Sequence, residues 1–196
     1  MCSIRAVAVI LAVLSGTVLS ASAQNGKSTP PSIVDQAKAY CTSTGGVLEL
    51  RTAVYGTNDP QQDWLWLTAS ESFCQYTLPE DESRIHLSLQ TLFSPKPTLA
   101  ALAYYAQVPW NGQGNGNPAS FYCTQLGGAE IGATDFAGGG WVLLGSIDEA
   151  LEACVFPDNS TIDSWGLFYH SDNIVRGIDL TTVLKYPNPY SAAKKK

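Results

Sequence analysis

Thiols, imidazoles and carboxylates are the side chains of this sequence that could do chemistry, and the thiols have the most regular spacing. Cys41 is followed by Cys74, and Cys123 by Cys154; a fifth, Cys2, stands near the N-terminus. An even set of four in a chain bound for export implies disulfides. Four thiols allow three pairings, and locality favours Cys41–Cys74 with Cys123–Cys154. Each bridge then closes a loop of about 30 residues, worth roughly 3–4 kcal/mol in the chain-entropy account. Metal binding is the competing chemistry. It is disfavoured because no C-x-x-C spacing exists and the only histidines are His86 and His170. No metal and no cofactor is expected.

Catalytic patterns are sparse. There is no G-x-S-x-G elbow, H-E-x-x-H pair or P-loop. A Ser-His-Asp triad would need His86 or His170 beside a serine. The run Tyr169-His170-Ser171-Asp172 has the letters, but chain neighbours rarely point at one another, so a surface histidine is expected there. A carboxylate pair for glycoside hydrolysis would draw on Glu49, Glu71, Asp135, Glu149 or Asp163, which nothing but acidity marks out. The glycine-rich stretches lack the strand–helix context and positive charge of a phosphate cradle. Trp64 and Trp66 alternate and so share one face, either in the core, which is the expected place, or as a platform for sugar or protein. Trp110 lies in a Gly/Asn-rich stretch and is expected to pack. Asn159-Ser160-Thr161 is the single glycosylation sequon, at a turn tip where a glycan at Asn159 would be accommodated.

The elements that must carry these residues are written twice. Ala37-Lys38-Ala39-Tyr40-Cys41-Thr42-Ser43-Thr44-Gly45-Gly46 and Ala119-Ser120-Phe121-Tyr122-Cys123-Thr124-Gln125-Leu126-Gly127-Gly128 both read A-x-x-Y-C-T-x-x-G-G. Cys74-Gln75-Tyr76 then matches Cys154-Val155-Phe156, Ser83-Arg84-Ile85 matches Ser160-Thr161-Ile162, and Thr98 to Tyr105 matches Asp179 to Tyr186, in the same order. Trp64 to Leu67 is set against Trp141 to Leu144. Locally, Asn117-Pro118 reads as an N-cap followed by proline at the first helical position. The paired glycines read as helix stops. Val47 to Thr52 alternates like a half-buried strand. Thr98 reads as the cap of a helix with Leu99, Leu102 and Tyr105 on one face. Ser146 to Glu149 has the letters of a capping box.

The second copy, Asn117-Pro118-Ala119-Ser120-Phe121-Tyr122-Cys123, then Gly127-Gly128, then Cys154-Val155-Phe156-Pro157-Asp158-Asn159-Ser160 with Asp163 and Trp165, resembles the DUF333 family. The first copy keeps Tyr40-Cys41, Gly45-Gly46 and Cys74-Gln75-Tyr76 but lacks the F-P-D-G-S turn and the tryptophan. The resemblance implies small exported domains, some carrying a haemolysin label, and in tandem form secreted fungal relatives. It implies no catalytic residues. It also implies a hairpin strand around Cys154, against the capping-box reading.

Residues 1–23 read as a secretory signal, with Arg5 before an apolar run from Ala6 to Leu19 and Ala21-Ser22-Ala23 as the cleavage site. The chain carries a formal net charge of −6 at pH 7, and the Lys194-Lys195-Lys196 tail masks a still more acidic body. Nucleic acid and anionic membrane are poor partners for it. The expected organisation is a lead-in at 24–32, a first repeat at 33–106, a linker at 107–116, a second repeat at 117–187 and a tail at 188–196. The expected fold is α+β: two pseudo-symmetric repeats, each with short helices on a small antiparallel sheet, stapled by disulfides. The expected role is a secreted, extracellular, non-catalytic interaction module, an inhibitor or effector whose partner is a protein or carbohydrate. A secreted hydrolase with a carboxylate site and a haemolysin-like membrane-active protein are the alternatives.

Overall fold

The computed structural model describes residues 30–132 and 136–191. Residues 1–23, read above as a secretory signal, the Lys tail and Asp135 lie outside the described residues, as do the side chains of residues 147–149.

Helix α1, Ile33–Ser43, starts where Ser32 accepts a hydrogen bond from the Asp35 amide. It stops at Gly45, whose φ of 88° is left-handed. Strand β1, Val47–Tyr55, pairs with the long β2, Leu65–Thr77, which turns back into β3, Arg84–Ser88. Ser88 caps the short α2, Leu89–Leu92, and Thr98 caps α3, Leu99–Ala106. In the second half Asn117 accepts from the Ala119 and Ser120 amides to start α4, Pro118–Gln125, with proline in its first turn. Strands β4 (Gly139–Leu143), β5 (Ser146–Leu151), β6 (Ala153–Val155) and β7 (Thr161–Asp163) follow. Asp163 then caps α5, Ser164–Ser171.

All seven strands belong to one antiparallel sheet in the order β5-β4-β1-β2-β3-β7-β6. The expectation of a separate small sheet in each half is therefore corrected. Strands of the first half occupy the centre, and the second half flanks them on both sides. The main core mixes the halves: Tyr76, Ile85, Leu87, Leu92 and Tyr104 pack with Tyr122, Ile162, Leu167 and Leu180. Each such side chain contributes about 1.5–3 kcal/mol when fully buried. A smaller cluster joins Ala53 and Phe73 to Trp141, Leu151 and Ala153, with the Phe73 and Trp141 rings edge to face at 5.5 Å.

Cys41 bridges Cys74 and Cys123 bridges Cys154, all four buried in the main core. The second glycine of each pair has a role beyond ending a helix. A Cβ on Gly46 would overlap the Cys74 sulfur, and one on Gly128 the Cys154 sulfur. Only a residue without a side chain lets the backbone lie against the bridge.

Several local expectations change. Ser146 to Leu151 is a strand, paired through Trp141↔Leu151 and Leu143↔Ser146, so the hairpin reading replaces the capping box. On α3 the buried residues are Ala100, Ala101, Tyr104 and Tyr105, while Leu99 is 41% exposed. The matching segment at Leu180–Thr182 is a single 3-10 turn with Asp179 as its cap. Cys74 pairs with Leu87 and Cys154 with Ile162, so Ile162 stands where Leu87 does and not where Ile85 does. The first hairpin carries more residues between its strands than the Pro157-Asp158-Asn159 turn of the second. Strands β5 and β6, not β4, lead into Cys154 as β2 leads into Cys74.

Candidate functional site

The curl of the sheet gathers charged side chains onto the face shared by β1, β3 and β7. Arg51 is 3% exposed. Its Nε donates to Glu49 Oε2 at 2.7 Å and its Nη1 to the Trp141 carbonyl at 3.0 Å. His86 is 6% exposed, with Nδ1 3.4 Å from Asp163 Oδ2 and Nε2 3.1 Å from Gln75 Oε1 and 3.4 Å from Glu49 Oε2. Burial by itself would lower the imidazole pKa, but Asp163 and Glu49 outweigh it and raise it. Glu49 shows the reciprocal effect. Burial would raise it, yet hydrogen bonds from His86 and Arg51 hold it down at about 2. The other Asp163 oxygen, Oδ1, accepts from the Gly166 amide as the cap of α5.

This network floors a cleft of about 470 Å³, also lined by Arg84, Glu82, Glu152, Trp165 and Arg176. All three arginines among the described residues line it. Glu152 Oε2 accepts from Asn117 Nδ2 at 2.7 Å and from the Trp165 indole at 2.6 Å. The same carboxylate borders a second cavity of about 510 Å³ with Ser120, Phe121 and Glu130. Ser120 Oγ donates to Glu130 Oε2, while Glu130 Oε1 is buried with no hydrogen-bond partner among the described residues. Burial raises the Glu130 pKa, and the charges of Glu152 and Asp163 push the same way. Among the described residues no group of three or more His, Cys, Asp or Glu is placed to hold a metal ion.

Three polar members of the signature, Asn117, Ser120 and Trp165, thus bond two glutamates, while the fourth, Asp163, bonds His86 and the Gly166 amide. Residues 114–171 are a DUF333 domain, a domain of unknown function. No curated protein and no solved structure matches the chain. The DUF333 domain supplies Glu152, Asp163 and Trp165 to the first cleft. Arg51, Arg84 and His86 come from before the DUF333 domain and Arg176 from after it, so the cleft is composite.

The other singled-out residues fall elsewhere. Trp66 is 41% exposed and Trp64 half-buried, their rings tilted at 6.5 Å. The core position expected for them is corrected: Trp66 lies near the start of β2 and Trp64 just before it, beyond the helices that cover its other end. Trp110 packs edge-on against Phe168 at 5.2 Å. Asn159 is exposed at a left-handed turn position, φ 61°. Glu71 accepts from Thr161 Oγ1, and burial raises its pKa. His170, expected at the surface, is 7% exposed and stacked on Tyr104 at 3.7 Å. Sequence reasoning missed Glu130, Glu152 and the arginines. The signal for the glutamates was indirect. Asn117, Ser120 and Trp165 are polar signature residues that packing alone does not require, and buried donors need acceptors.

Proposed function

We propose that the chain is an exported, disulfide-stabilised interaction module and that the composite cleft is its ligand-binding face. One observation carries this reading: an acidic chain places all three described arginines around one cleft, with Glu152 and Asp163 facing them. The carboxylates there are held by fixed donors, which suits recognition by a preorganised set of charges. Two buried bridges suit an oxidising compartment. No described helix is long and apolar enough to cross a membrane. The partner is an extracellular protein or carbohydrate.

We also infer that the halves are related copies. Support comes from matching placements. Gly46 and Gly128 each lie against their own bridge. Val47 pairs with Gln75, and Ala129 with Val155. Ser88 and Asp163 each cap the helix that follows. Leu87 and Ile162, the partners of Cys74 and Cys154, pair with each other, as equivalent residues do about a local twofold.

The test is capture of partners from extracellular fluid on the disulfide-intact chain, beside an Arg176→Gln, Glu152→Gln double variant. A saturable partner lost in the variant supports the reading, and equal capture by both proteins places recognition elsewhere. Sequencing the exported protein from Gln24 would support the proposed leader. A carboxylate-based hydrolase is the second reading, favoured by Glu130 and Glu152 on one cavity with Glu130 biased towards its neutral acid form. Polysaccharide hydrolysis lost in Glu130→Gln would establish it.

A further inference from the structure

Two opposite charges lining the composite cleft make no ion pair among the described residues, although exposed Asp81 acts on Arg176 from outside the cleft. Arg51 is bonded to Glu49, and His86 lies between Asp163 and Glu49. Arg176 is different. Its guanidinium lies over the Tyr169 ring, 5.2 Å from the centroid, and its Nε is buried with no hydrogen-bond partner among the described residues. Glu152 is its counterpart. Its bonds come from Asn117 and Trp165, both neutral, so its negative charge is oriented without being cancelled. Both side chains line the same cleft.

Building on the reading of this cleft as the ligand face, we infer that it holds a small zwitterion of the α-amino-acid type, its carboxylate on Arg176 and its ammonium on Glu152. The chemistry of the walls selects this class. A polyanion meeting Arg176 would also meet Glu152 and Asp163, and a polycation meeting Glu152 would also meet Arg51 and Arg84. A ligand with one charge of each sign satisfies both unpaired groups and repels neither. Nε itself is closed to solvent, so a ligand carboxylate would bond the outer guanidinium nitrogens, which are not among the buried atoms. Cation–aromatic stacking on Tyr169 leaves the guanidinium edge available to an oxyanion. A space of about 470 Å³ suits an amino acid or a short peptide with both ends charged. Trp165, fixed by its bond to Glu152, supplies an apolar wall beside the charges.

Glycine and glycylglycine are titrated into the full, disulfide-intact chain, beside N-acetyl-glycylglycine, glycylglycine amide and polyglutamate. Calorimetry gives the affinity, and the Arg Nε–H and Trp indole NMR signals report the site. Saturable binding by glycine or glycylglycine is expected, with about tenfold or greater loss when either end is blocked. Glycine binding tighter than glycylglycine would identify an amino-acid ligand, and the reverse order a peptide. Glu152→Gln should abolish discrimination against the acetylated probe, and Arg176→Gln discrimination against the amide. If a variant does not fold, the blocked probes on the native chain still decide. Absence of saturable binding by both free-ended probes would overturn the inference, as would blocked probes or polyglutamate binding equally well. Partner capture lost in the double variant despite that result would retain the interaction-module reading and remove only the zwitterion.

Discussion

His86 is enclosed by groups that favour its charged form, and that has a thermodynamic consequence. Its folded pKa is raised above the ordinary 6.5. The stability it contributes is full below 6.5 and is lost as pH rises through the folded value. Glu49 is held at about 2 against an ordinary 4.5. Its contribution is full above 4.5 and is lost as pH falls towards about 2. The two together predict a plateau of thermal stability between these ordinary values, sloping down on both sides. His86→Gln should flatten the alkaline slope, measured by calorimetric unfolding as pH is varied; a slope unchanged in that variant would sink the assignment. The glycine pairs make a second prediction. Gly128→Ala should cost about 1–3 kcal/mol in urea unfolding, because the new methyl overlaps the bridge. On a Cys123→Ala, Cys154→Ala background that penalty should shrink. An undiminished penalty would mean that backbone conformation, not the sulfur, is responsible. The paired glycines are visible in the sequence as helix stops, and Gly45 and Gly127 behave so at φ 88° and 85°. The need for the second glycine was not legible, since it arises from a sulfur brought in from a strand far along the chain.

At the scale of elements, Asp163 does two things from one position: Oδ1 caps α5 and Oδ2 faces His86. Asp163→Asn keeps a good cap but removes the charge, so it should lower the His86 pKa, read from its NMR titration, with little loss of helix stability. Asp163→Ala removes the cap as well and should cost about 1 kcal/mol more. If both variants lost the same stability, the cap would contribute nothing. Caps of this kind were legible because they depend on residues within one turn: Asn117-Pro118 and Thr98 stand where their letters place them. Sheet order was not legible. Pairing β4 with β1 joins Trp141 to Ala53, far apart in the chain, and no local pattern encodes that. Alternation of Trp64 and Trp66 correctly implies a shared face but not which face the helices cover. The candidate cleft was hidden for the same reason. Its arginines come from three distant segments, and only the fold shows that they meet.

Across the whole molecule, the two bridges and the sheet divide the work differently. Each disulfide stays within its own half, whereas the sheet and both cores do not. Strand β1 pairs with β4, and β3 with β7. Phe73 needs Trp141 in the smaller cluster, and the C-terminal segment returns to the first half. There Tyr40 Oη donates to the Val183 carbonyl at 2.8 Å and Tyr105 Oη to that of Tyr186 at 2.6 Å. A half made alone keeps its covalent staple yet exposes two strand edges and the apolar faces that the other half covers. Chains cut in the 107–116 segment therefore provide a direct test, with peptides 24–111 and 112–196 each oxidised separately. Each should lack cooperative urea unfolding on its own. Mixed at equimolar ratio, they should recover one cooperative transition and a dispersed amide spectrum, because the missing interactions are between the halves and not within them. Cooperative unfolding of either peptide alone would show that its staple and local packing suffice, and the interleaved sheet would then be an association of two independent domains.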